Sequence, residues 1–425
     1  MFFNKPNMTK ITNIKANWIL DSRSIPTIYT EVFLTDELGN IHVGRAGVPS
    51  GASTGTYEAL ELRDGDNDVF DGKGVLKAIE NINSTALDLL NINFETAREI
   101  DEFILKIDGT ENKTKLGANC ILGISMAAHR AFASSLGVEL WQYLSDLYFE
   151  SNAEENSRFP QIMCNVINGG VHADSGLSIQ EFMIIPQTGD IETDVQFCSE
   201  FYGTLKKSLK KAGYSISLGD EGGFAPHFTS CQGALEFINT TINENDKFGG
   251  KFKMALDCAA SEFLSGGIYT IDKKQFNGPE LVDYYSKLVE NFPIISIEDG
   301  FGEDDIENWI LFREKLGDKI LQVGDDLYVT NTKRFQKFGI EMTAGNAILI
   351  KLNQIGSVSQ TADVINLAHA NNFETAVSHR SGETNDDFIA DLSFAAQSKY
   401  IKIGAPARGE RVSKYNRLME IKRNL

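Results

Sequence analysis

Six apolar runs decide the fold: FKMALD at 252–257, PIISIE at 293–298, ILQVGDD at 320–326, NAILIK at 346–351, ETAVSHR at 374–380 and KYIKI at 399–403. Each is short, and each is followed by a longer amphipathic stretch with room for one crossover helix. Strand and helix alternating in this way build a parallel sheet. Closing that sheet into a barrel leaves no exposed edge and lets the strands be apolar on both faces. Functional groups in such barrels gather where the strands end. Here the runs end at Asp257, Glu298, Asp325, Lys351 and His379 with Arg380, and the last carries Lys402 near its end. Ionisable groups delivered by six consecutive runs to one rim read as a polar site, because a structural cap would have to keep every charge solvated or paired.

Working outward, the pattern differs upstream. TIYTEVFLTD at 27–36, a turn at Leu38-Gly39-Asn40, and IHVGRAGV at 41–48 read as a hairpin. The stretches at 74–90, 93–107 and 117–137 carry apolar residues three and four apart and read as helices. Strands followed by helices make a small α+β domain. YFESNAEENSRFP at 148–160 is polar and closed by proline, so it reads as a boundary. The expected organisation is an α/β protein with an N-terminal α+β domain over 1–148 and a (β/α)8-like barrel over 149–425.

Composition excludes several classes. The chain has 425 residues, 42% of them hydrophobic, which suffices for two cores. A formal net charge of -19 leaves no basic face for nucleic acid and is repelled by acidic membranes. Five cysteines without a CxxC pair argue against a disulfide framework or a zinc site and for a reducing, cytoplasmic setting. The start, MFFNKPNMTKITNIK, has no signal-peptide core, and no stretch approaches the roughly 18 apolar residues of a membrane span.

Asp257, Glu298 and Asp325 offer only oxygen, the ligand set of a hard cation such as Mg2+; any one of them alone could equally be a strand-end salt-bridge partner. Lys351 and Lys402 could pair with those acids, or, beside a dication, act as neutral general bases. Glu181, following Gln180, and Asp220 with Glu221, preceding Gly222-Gly223, can reach into a pocket, although an acid before a glycine pair is usually only a turn. The small-residue loop in AGVPSGASTGTYEALELRDGD has donors for a phosphate and a Ser53 hydroxyl for a metal. It lacks the Gly-Lys-Ser/Thr ending of an ATPase loop, and it reads as a lid or as a plain linker.

Taken together, the motifs resemble the enolase family over nearly the whole chain. ILIKLNQIGS at 348–357 resembles the family's signature segment. PSGASTG, LRDGD, INGGVHA, QEFMI, GDEGGFAP, LDCAASEF, SIEDGF, GDDLYVTN and SHRSGET follow in the family's order. The resemblance implies a cytoplasmic hydro-lyase that reversibly dehydrates 2-phosphoglycerate to phosphoenolpyruvate with Mg2+ in two sites. It implies Lys351 as the base at carbon 2 and Glu221, assisted by Glu181, as the acid for the leaving hydroxyl. Asp257, Glu298 and Asp325 would hold the tighter Mg2+, and Ser53 would contribute to the second. His172, Gln180, His379, Arg380, Ser381 and Lys402 would line the substrate site, Arg380 and Ser381 at the phosphate. A homodimer is implied, with an octamer as the variant. The chemistry is consistent, since a proton beside a carboxylate is weakly acidic and needs strong electrostatic stabilisation of the anion it leaves.

Two departures stand out. DSRSIPT has Ser24 and Ile25 where the family reads Gly-Asn, and IKIG has Ile403 where Thr is usual. They bear on the subunit contact and the phosphate pocket. The competing readings are a related lyase acting on another phosphorylated or phosphonate substrate, and an additional binding role without catalysis.

Overall fold

The computed structural model describes residues 9–51, 55–90, 92–149 and 158–425. The backbone forms two compact units. One comprises the chain up to Arg158 together with Lys351–Asn366 and Arg380–Gln397; the other comprises Phe159–Ile350, Leu367–His379 and Ser398–Leu425.

The first unit is built on a four-stranded sheet of β1 (Thr9–Leu20), β2 (Pro26–Thr35), β3 (Ile41–Gly47) and β4 (Asn93–Phe94), in the order β3-β2-β1-β4. The hairpin joining β2 and β3 is antiparallel, pairing Thr35 with Ile41. Its turn closes because the Asp36 carboxylate accepts the Leu38 and Asn40 amides while Gly39 takes a φ of 84°. Helices α1 (Leu76–Leu89), α2 (Ala97–Asp108), α3 (Ala118–Leu136) and α4 (Leu140–Tyr148) follow. The apolar helix α3 packs on β2 and β3 so closely that a Cβ at Gly44 would lie 1.9 Å from the Ala127 carbonyl oxygen. No single described helix is long and apolar enough to cross a membrane.

The second unit is a closed eight-stranded barrel. Its strands are β5 (Gln161–Asn168), β6 (Glu181–Pro186), β7 (Phe252–Asp257), β11 (Ile294–Glu298), β12 (Leu321–Gly324), β13 (Ala347–Ile350), β14 (Glu374–Ser378) and β15 (Tyr400–Lys402). Between β7 and β11 a small sheet, β8 (Leu264–Ser265), β9 (Ile268–Ile271) and β10 (Lys274–Phe276), forms a side excursion. Met163, Met183, Ala255, Val323, Leu349 and Ala376 fill the barrel interior.

Two features correct the sequence expectation. Six runs were read as strands, and the barrel adds β5 and β6. Nor is the barrel wholly parallel, because β6 runs antiparallel to both β5 and β7. The cause is the connection at 169–180, which holds only the 3-10 turn Gly170–His172 and no crossover helix to return the chain.

Ser24 has a φ of 61°, in the region that disfavours a Cβ, within a turn that Asp21 organises by accepting the Arg23 and Ile25 amides. Ser24→Gly should therefore stabilise the fold by about 0.5–1 kcal/mol, the relieved strain less the extra freedom glycine has when unfolded. The readout is a higher urea midpoint at unchanged slope.

His129 is buried with its Nδ1 2.8 Å from the Ser125 carbonyl and its Nε2 2.7 Å from the Tyr148 hydroxyl. The carbonyl can only accept, so Nδ1 carries the proton and Nε2 accepts from Tyr148. Burial lowers the pKa of His129 from 6.5, with Asp101 opposing in part. The native ring stays neutral where an unfolded one takes up a proton, so stability is complete above about pH 6.5 and falls below it. Urea midpoints should drop between about pH 7 and pH 5, and the drop should be shallower in His129→Gln.

Candidate active site

The reversed strand explains the rim of the barrel. Because β6 is antiparallel, its first residue, and not its last, lies level with the ends of the parallel strands: Glu181 pairs with Asp257 across β7. Asp257 in turn lies beside Glu298, the last residue of β11. Lys402 closes β15 with only 2% exposure, and its Nζ donates to Asp257 Oδ2 at 2.8 Å and to both Glu298 oxygens at 2.9 Å, with Glu181 Oε1 at 3.0 Å. Burial alone would favour a neutral amine. Asp257, Glu181, Glu298 and Glu221 outweigh it and raise the Lys402 pKa well above its usual value. Of the two readings of Lys402 left open by the sequence, the geometry shows the pairing with acids.

Glu221 lies nearby on a loop. Its Oε2 accepts from Asn165 Nδ2 at 2.9 Å, and its Oε1 is 3.5 Å from both His172 Nδ1 and His379 Nε2. Arg411 Nη1 lies 2.6 Å from His379 Nδ1, and since a guanidinium only donates, the ring proton is on Nε2 and faces Glu221. Burial and Arg411 push the His379 pKa down to about 3, so the ring offers Glu221 an N–H and no charge near neutrality. The two glutamates diverge. Burial, reinforced by Glu221, pushes Glu181 well up. Burial pushes Glu221 the same way, but His379, His172 and Lys402 outweigh it and hold Glu221 well below its usual value.

Asp325, just beyond β12, falls into a second acidic group. The Asp299 carboxylate accepts the Asp325 and Asp326 amides at 2.9 Å each, and ligand oxygens of the three lie within 4.8 Å of one another. Of the three expected metal ligands, Asp257 and Glu298 thus meet at Lys402, whereas Asp325 gathers with Asp299 and Asp326. Gln180 Nε2 is 3.3 Å from Asp257 Oδ2. Buried Gln180 Oε1 and Glu181 Oε2 have no hydrogen-bond partner among the described residues.

In the first unit, Arg380 is engaged by Glu58 and Asn353, and the Ser381 carbonyl accepts from the Ser22 hydroxyl. Lys351 directly follows β13 and caps the short helix Leu352–Ile355. Ser53 lies outside the described residues.

Comparison with known families decides the identity. Residues 11–144 match the family model described as enolase, N-terminal domain, and residues 156–425 match enolase, C-terminal TIM barrel domain. A protein of Elusimicrobium minutum (strain Pei191) named enolase is 48% identical over 421 residues, covering 98% of this chain and 97% of that protein. The chain belongs to the enolase family. Its activity is that of a hydro-lyase, phosphopyruvate hydratase, interconverting 2-phosphoglycerate and phosphoenolpyruvate.

The family implies a metal cofactor, and the rim has the chemistry to hold one: carboxylate oxygens without a thiolate, and two buried oxygens lacking partners. Sequence reasoning passed over Asn165, Asp299 and Arg411, each of which holds a site residue in place. Asp299 could have been suspected from its adjacency to Glu298; Arg411, inside the helix Gly409–Arg423, gave no local signal.

Removing the buried cation should expose its role. In Lys402→Met, three buried carboxylates lose their counter-ion, and the metal-free protein should lose about 3–5 kcal/mol of stability. Adding Mg2+ should raise its melting temperature more than that of the wild type, as measured by thermal scans in chelator and in Mg2+.

Proposed function

We propose that Lys351 removes the proton from carbon 2 of 2-phosphoglycerate while Glu221, with Glu181, delivers a proton to the leaving hydroxyl in an anti elimination. The observation that carries this is the paired glutamate arrangement. Glu181 and Glu221 are brought together with His172, ligand atoms of the three within 4.8 Å of one another, and are buried against Lys402 and His379, a placement that suits an acid for a poor leaving group. His172 and His379 restrain Glu221 from two sides. Gln180 and Lys402 line the substrate site on the rim, and Arg380 with Ser381 takes the phosphate.

Two Mg2+ ions complete the reading, the tighter held by Asp257, Glu298 and Asp325 and the second by Ser53 with the substrate phosphate. Bound there, they would stabilise the charge that develops on the substrate carboxylate. The oxygen-only donor set supports Mg2+ over softer metals. We place the protein in the cytoplasm as a homodimer; five free, buried cysteines agree with a reducing setting, and the family supplies the dimer. The net charge of -19 supports a small-molecule partner over nucleic acid.

Lys351→Ala tests the base. Turnover of 2-phosphoglycerate in Mg2+, followed by the ultraviolet absorbance of the enol product, should fall about 10²–10⁴-fold. Dehydration at undiminished rate would remove Lys351 from the role.

A further inference from the structure

The Arg380 guanidinium is fixed from within its own unit. Its Nη1 donates to Glu58 Oε2 at 2.9 Å and to Asn353 Oδ1 at 3.0 Å, and its Nη2 donates to Glu58 Oε1 at 3.1 Å. Glu58 therefore grips the guanidinium with both oxygens, one on each terminal nitrogen. Both side chains are buried, 4% exposed for Arg380 and 7% for Glu58. The same carboxylate does more. Glu58 Oε1 accepts the Gly55 amide at 3.0 Å, two residues beyond Ser53, and the Gln354 side-chain amide at 3.4 Å, three residues beyond Lys351. The Gln354 carbonyl accepts the Ala59 amide at 2.8 Å, and Asn353 reaches the Pro49 carbonyl at 3.3 Å. Glu58 and Asn353 also line a cavity of about 410 Å³.

We propose that Glu58 is a positioning residue for substrate phosphate. Its carboxylate fixes the plane of the Arg380 guanidinium, and it ties that arginine to the segments following Ser53 and Lys351. An arginine on a long, rotatable stem loses much of its affinity for an anion if its plane is free to turn; a carboxylate held on both terminal nitrogens removes that freedom before substrate arrives. The inference rests on the reading of Arg380 as the phosphate ligand.

The experiment compares wild type with Glu58→Gln, Glu58→Asp and Arg380→Gln. For each, KM and kcat for 2-phosphoglycerate are measured, with the inhibition constant of inorganic phosphate as an independent probe of the same site. Glu58→Gln keeps the shape and loses the charge. It should raise KM and the phosphate inhibition constant together by about tenfold or more, with a smaller fall in kcat. Glu58→Asp, which keeps the charge on a shorter stem, should lie between the two. If only melting temperature or kcat falls while both constants stay put, Glu58 is merely structural and the proposal fails. If both constants decrease, Glu58 competes with phosphate and the proposal is also overturned. Unchanged phosphate inhibition in Arg380→Gln would instead overturn the reading of Arg380, and the proposal with it; a clear effect there with none in Glu58→Gln would sink the proposal alone.

Discussion

The barrel rim depends on one buried ammonium. Lys402 Nζ has three protons and meets oxygens of three carboxylates, none of which is solvated. Burying such a cluster is costly, and an apolar set of the same volume would commonly be as stable or more so. What the ammonium provides is compatibility: Asp257, Glu298 and Glu181 can occupy neighbouring strand ends without mutual repulsion opening the rim. Two of the ligands expected for a divalent cation, Asp257 and Glu298, are thereby gathered at one place.

The reversed strand β6 is what admits Glu181 to this group. In an all-parallel barrel, the sixth residue of the run, Pro186, would lie at the functional rim and Glu181 at the opposite end. A short connection between β5 and β6 inverts that order, so Gln180 and Glu181 arrive together, with His172 supplied by the connection itself. The backbone supports the placement, since the Gln180 amide donates to the Asp257 carbonyl at 3.0 Å. One local topological choice thus delivers three polar side chains to one place.

Much of this was legible in the sequence because apolar runs ending in ionisable residues have few meanings in a strand-and-helix alternation. Asp257, Glu298, Asp325, Lys351, His379 and Lys402 all stood out on that ground. QIMCNVIN and EFMIIP are equally apolar, but the segment between them carries no helical period, so the alternation that exposed the other strands was silent there. Arg411 was hidden for a different reason. An arginine on an amphipathic helix reads as solvated, and only the fold shows it fully buried against His379. Glu58 was passed over likewise, as one acid among several in a polar loop, because its meaning lies in a partner 322 positions away.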